Sequence, residues 1–155
     1  MKPAPNATRT VLIAVTGLSP AIVTETIWAL ASEKTPIIPD HVVVLTTRTG
    51  RDRMVEQLLH GDRWSAFRKT IEHRFDRKDR GSIQNRLRFG PAQDHIRIIP
   101  TAGPEVRDAD DIRTPADHEA AADFILRTVR EFSEEDGTRI IFSVAGGRKT
   151  MGALL

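Results

Sequence analysis

Apolar residues along the chain gather in four short runs, separated by longer segments of helical period. The runs are Val11 to Val15, His41 to Thr47, His95 to Pro100 and Arg139 to Ala145. Three are nearly unbroken in Val, Ile and Leu, as parallel strands are when helices cover both faces of the sheet. The third, His95-Ile96-Arg97-Ile98-Ile99, alternates and reads as an edge strand. Between the first two runs, Ile22, Thr26, Trp28-Ala29 and Leu30 recur at roughly helical spacing. They predict a helix over Ala21 to Glu33, with Ser19 as N-cap and Pro20 at the first helical position. Pro115 to Phe132 carries Ala121, Phe124, Ile125 and Val129 on one side and starts at a Thr114-Pro115 cap. Within Arg51 to Phe89, Met54, Val55, Leu58 and Leu59 mark one helix and Trp64, Phe67 and Ile71 a second, before Asp79-Arg80-Gly81-Ser82 breaks the pattern. Glu105 to Arg113 reads as an acidic loop.

Strands alternating with helices predict an α/β fold: a Rossmann-like open parallel sheet of at least four strands with helices on both faces. Residues 1–155 form one domain, with a flexible N-terminus at 1–10. If the strand order is 3-2-1-4, the first and fourth strands are neighbours at the switch point, where ligands bind beyond the carboxyl ends of strands. The loops Thr16-Gly17-Leu18-Ser19-Pro20 and Gly146-Gly147-Arg148-Lys149-Thr150 then face one another.

The last strand runs straight into two glycines, two cations and a threonine. Glycines let backbone N–H groups approach an anion, and the cations neutralise it. The Walker A pattern is not met, because Arg148 separates Gly147 from Lys149 and the upstream glycine is missing. The first loop adds the Thr16 and Ser19 hydroxyls before a helix N-terminus, which favours an anion. Thr47 and Arg48 add a hydroxyl and a guanidinium at the end of the second strand. Taken singly, Thr16, Ser19 and Arg48 read equally well as turn, cap or solvent-facing residues. Arg148 and Lys149 do not, since cations just before a helix oppose its dipole.

Composition narrows the chemistry. The chain has 155 residues, a formal net charge of +2 and no cysteine, which excludes disulfides and thiolate catalysis and suits a cytoplasmic protein. No segment approaches the roughly 18 apolar residues of a membrane span. The histidines His41, His60, His73, His95 and His118 are not at metal-ligand spacing, and no G-x-S-x-G elbow is present. A single glycine in the first loop, with no acidic residue closing the second strand, argues against a nicotinamide cofactor. No metal or cofactor is expected, and any chemistry would run by positioning and charge. Arg and Lys crowd between Arg51 and Arg88. This stretch reads first as a solvated face paired with Asp62, Glu72, Asp76 and Asp79, and alternatively as a basic nucleic-acid-binding surface.

The segments Val11 to Thr26 and Ser143 to Gly152 resemble the CARF domain, the CRISPR-associated Rossmann fold. The branch is the one first described as the NE-type CRISPR-associated family and often labelled a ring nuclease. Asp111 to Asp117 and Ala120 to Ile125 fit the same branch. The resemblance implies a homodimer that binds cyclic oligoadenylate, as tetra- or hexa-adenylate, with no DNA or membrane partner. Some members also cut the ring without metal, and others act as sensors for an effector domain. Carried over by position, Gly146, Gly147, Arg148, Lys149 and Thr150 cradle phosphates opposite Thr16, Gly17, Leu18 and Ser19, with Thr47, Arg48 and Arg113 as further ligand contacts. Lys149 is the expected transition-state stabiliser and Ser19 the residue that orients the attacked phosphate. Relatives continue with a full helix, a further strand and often an effector domain, whereas this sequence stops at Leu155. The expectation is therefore a C-terminally truncated sheet without its effector.

Overall fold

The computed structural model describes residues 8–75 and 85–146, the last two by backbone alone. Four strands, β1 (Arg9–Thr16), β2 (His41–Thr46), β3 (Ile96–Ile98) and β4 (Thr138–Gly146), form one sheet in the order β3-β2-β1-β4. Every pairing is parallel. The helices are α1 (Ala21–Ala31), α2 (Arg48–Met54, running on into a π turn at Val55–Leu59), α3 (Arg63–Phe75) and α4 (Pro115–Ser133). The predicted fold class and strand order are both observed. β1 begins at Arg9, so Arg9 and Thr10 are not part of a flexible tail: Arg9 N–H bonds the Gly137 carbonyl and Thr10 N–H the Asp40 carboxylate.

The two-residue period of the strands sorts the core into two layers. Leu12, Val42 and Val44 point to one face, where Val23 and Ile27 of α1 and Trp64 and Ile71 of α3 cover them. Val11, Ile13, Val15, Val43 and Leu45 point to the other, against Ala121, Ile125 and Phe132 of α4. Both faces of β1 and β2 are therefore dry, which is why their sequences are apolar without alternation. After β3 the chain crosses back over the sheet to β4. A right-handed crossover in that direction requires α4 to lie on the face opposite α1 and α3.

Helix boundaries follow local chemistry. Thr114 Oγ1 accepts from Asp117 N–H and the Asp117 carboxylate accepts from Thr114 N–H, a reciprocal cap with Pro115 at the first position. These bonds, first those from the Thr114 and Arg113 backbones, hold the Asp117 carboxyl below the usual carboxylate range. At α1 the expected Ser19 cap is not formed. Pro20, with φ −64° and ψ −26°, already has helical backbone and occupies the cap position, and no side chain caps this helix. Proline lacks an N–H, so one donor that a cap would satisfy does not exist. The break expected at Asp79 to Ser82 lies outside the described residues.

Candidate functional site

The parallel order brings the carboxyl ends of β1, β2 and β4 to a single edge. There Thr16 pairs with Gly146, so the first loop and the start of the glycine–cation loop are adjacent although they come from opposite ends of the chain. The ladder is irregular at this point. Ala14 pairs with Ser143 and Thr16 with Gly146, so three steps on β4 oppose two on β1. Such a bulge re-aims the strand where it leaves the sheet. Gly147, Arg148, Lys149 and Thr150 lie outside the described residues.

Thr16 is 1 % exposed, and its hydroxyl has no hydrogen-bond partner among the described residues. A buried hydroxyl without a partner costs about 1–3 kcal/mol, so its place at the switch point is unexplained by stability. Beyond it the backbone turns outward. Leu18 is 56 % exposed, an unusual position for a leucine at a strand end, and Ser19 is exposed beside it.

A second layer of contacts holds this loop, and the apolar pattern gave no hint of it. Thr46, fully buried, donates through Oγ1 to the Gly17 carbonyl at 3.4 Å. Gly50 lies against both: a Cβ there would sit 2.0 Å from Thr46 Oγ1 and 2.7 Å from the Gly17 oxygen. Only glycine lets the first turn of α2 approach so closely. The single available signal was a glycine three residues after a Thr-Thr pair.

Thr47 is the N-cap of α2, and its hydroxyl oxygen accepts from Gly50 N–H at 3.3 Å, so that oxygen is committed to the helix. Arg48 opens the helix and stands half-exposed, 3.5 Å from the Asp110 carboxylate and 4.0 Å from that of Asp108. Arg113 follows on the same loop, largely exposed, 3.2 Å from Asp111. The acidic loop thus answers the cations of this edge, with Arg48 N–H bonded to the Ala109 carbonyl and Thr49 Oγ1 to that of Asp110.

Next to Arg48 a cavity of about 720 Å³ opens along the free side of β3, floored by Ile96, Ile98 and Phe124 and rimmed by Arg51 and Asp94. Among the described residues there is no group of three or more His, Cys, Asp or Glu side chains suited to a metal. No helix among them is long and apolar enough to cross a membrane.

At the opposite edge of the sheet, His41 Nε2 and His95 Nδ1 are 2.9 Å apart, and Arg9 donates to His41 Nδ1. Burial, then the charges of His95 and Arg9, push the His41 imidazolium down to about 4. The pair lies beside the amino ends of the strands and takes no part in the strand-end site.

No curated protein and no solved structure matches the chain. Residues 19–155 do match the family model of CRISPR-associated protein NE0113. That stretch includes Ser19 of the first strand-end loop, all of β2 to β4 and the glycine–cation loop, and leaves out residues 1–18, which hold the whole of β1 and the Gly17 and Leu18 part of the loop. With this sheet order, this strand-end edge and a match over most of its length, the chain belongs to the CRISPR-associated protein NE0113 family and so to the machinery of CRISPR defence.

Proposed function

We propose that this chain is a CARF domain that binds cyclic oligoadenylate at the carboxyl edge of its sheet, as a homodimer, and cleaves the ring without metal. The observation that carries the reading is Thr16 beside Gly146, a buried hydroxyl with no partner among the described residues, next to the backbone that leads into two cations. The ligand is a cyclic polyanion with one phosphate per nucleotide. Two symmetric copies of one edge, each bringing the Arg148-Lys149 pair of the sequence, suit such a ring.

In the cleavage step, a ribose 2′-oxygen bonds to the adjacent phosphorus while its proton passes to water. The P–O5′ bond breaks, the leaving oxygen takes a proton from water, and the product is a linear chain with a 2′,3′-cyclic phosphate. The protein contributes alignment and charge. Ser19, exposed at the loop, orients the attacked phosphate, and Lys149 stabilises the phosphorane. Gly146, Gly147, Arg148 and Thr150 hold neighbouring phosphates, with Gly17, Leu18, Arg48 and Arg113 on the facing wall.

The test uses labelled cyclic tetra- and hexa-adenylate. Thr16→Val keeps the shape and removes the unpaired hydroxyl. It should leave stability unchanged or raise it by about 1 kcal/mol while weakening ring binding several-fold. Lys149→Ala should abolish cleavage and weaken binding. Failure of the wild-type protein to bind either ring would refute the reading. A ring bound but left intact would reduce it to a sensor.

A further inference from the structure

The two tryptophans have opposite environments. Trp64 is buried and donates its indole N–H to the Leu87 carbonyl, whereas Trp28 on α1 is 38 % exposed. Trp28 stands as a ridge between two hollows. One, of about 400 Å³, is lined by Thr24, Glu25, Ala29 and Phe67 and is almost wholly apolar. The other, of about 620 Å³, is walled by Lys69, Thr70, His73 and Arg74 of α3. Arg74 lies over the indole at 5.5 Å and Phe75 meets it edge-on at 5.1 Å, which fixes the ring's orientation. Since Arg74 lines only the basic hollow, the apolar one is left open beside the ring.

This face is basic as well, although cations elsewhere, such as Arg53, Arg88 and Arg139, also have no carboxylate within 4.0 Å among the described residues. Arg9, Arg48, Arg51, Arg97, Arg107 and Arg113 each have a carboxylate within 4.0 Å. Lys69 and Arg74 have none among the described residues, and neither does Arg63, which instead donates to the Glu56 and Gln57 carbonyls. The pairing of this stretch with Asp62 and Glu72 expected from the sequence is not formed, while Asp76 and Asp79 lie outside the described residues. Helix α3 carries Arg63, Arg68, Lys69 and Arg74 against Glu72 alone, so its field is positive.

We propose that the α1–α3 face binds linear single-stranded nucleic acid, with one base in the apolar hollow against Trp28 and Phe67 and the flanking phosphates on Lys69 and Arg74. Stacking on an indole is sequence-tolerant because every base has a flat face, and the cations supply the salt-dependent part of the affinity. A duplex conceals those faces. An acidic peptide matches the charge but offers no plane for the apolar hollow. The face is built from α1 and the C-terminal half of α3 and is separate from the strand-end loops.

The experiment follows tryptophan fluorescence as single-stranded oligonucleotides of about ten residues, RNA and DNA in parallel, are added. Quenching is expected, with log K falling against log salt by about 1.4, or roughly 0.7 for each of two neutralised phosphates. Trp28→Phe should keep the fold by circular dichroism and lose the quenching, since Trp64 is shielded. The double variant Lys69→Glu, Arg74→Glu should weaken affinity by about tenfold or more and flatten the salt slope, while still binding cyclic oligoadenylate as wild type does. The proposal falls if no single strand binds at low salt, if a duplex or polyglutamate binds as tightly, or if the charge variant binds unchanged.

Discussion

An alanine at position 50 would drive a methyl group into the joint between α2 and the first strand-end loop. The added Cβ would lie 2.0 Å from Thr46 Oγ1 and 2.7 Å from the Gly17 oxygen, so the closer contact must open by about 1 Å before it is sterically allowed. Thr46 is fully buried, and turning its hydroxyl away from the added methyl gives up its bond to Gly17. Overpacking of this kind costs about 1–3 kcal/mol, and the lost hydrogen bond adds about 0.5–1.5 kcal/mol. The better helix propensity of alanine returns at most about 1 kcal/mol. The net is a destabilisation of roughly 0.5–4.5 kcal/mol, centred near 2, which for a chain of this size lowers Tm by several degrees, about 2–4 °C per kcal/mol. Thermal melts of Gly50→Ala should show this drop, and ring affinity should fall with it because the Gly17 loop is displaced. Gly90→Ala is the control, since its nearest contact would be an ordinary 3.9 Å. If Gly50→Ala melted with wild type, the tight seat of α2 on the loop would be refuted.

Three further outcomes rest on geometry elsewhere. Thr114→Ala removes one half of the α4 capping box and should cost about 1 kcal/mol in urea unfolding, whereas Thr114→Ser should recover most of it. Arg97 grips Glu131 through two bonds of 2.7 and 2.9 Å, and these hydrogen bonds hold the Glu131 carboxyl below its ordinary value. The pair's contribution, about 1 kcal/mol or less at so exposed a carboxylate, is full above the ordinary glutamate range and lost as pH falls through the lowered value. Glu131→Gln should remove that part of the acid dependence. His41 has the opposite sense: its imidazole is kept neutral in the fold down to about 4 but protonates near 6.5 when unfolded. Stability is therefore full above 6.5 and falls between 6.5 and 4, by about 1–2 kcal/mol once its partial exposure is discounted. His41→Asn should flatten urea midpoints over that window, and an unchanged slope would refute the assignment.

The four apolar runs were enough to specify four parallel strands, because a strand covered on both faces must be continuous in Val, Ile and Leu, and β1 and β2 are. The alternation of Ile96-Arg97-Ile98 marked β3 as an edge strand, and it does end the sheet, with Arg97 and Ile98 half-buried; β4, at the other edge, carries no such mark. Helix α4 was legible almost to the residue, because its cap, its proline and its apolar stripe are all local signals. Helix α2 was not: apolar spacing placed it from Met54 onward, but it begins at Arg48. Its start is set by the Thr47 cap and by the room Gly50 leaves for Gly17, a contact with another strand's loop.

Residue types at strand ends, hydroxyls, glycines and cations, were written in the chain and pointed to an anion. That the first and last loops share an edge followed from the sequence only once the 3-2-1-4 strand order was assumed, and the structure has that order. Periodicity describes how each segment faces its own neighbours along the chain. The pairing of Thr16 with Gly146, the bulge that aims β4, the buried Thr16 hydroxyl and the cations beside Trp28 depend on sheet order and on the opposing helix. Only the packing of distant segments decides those.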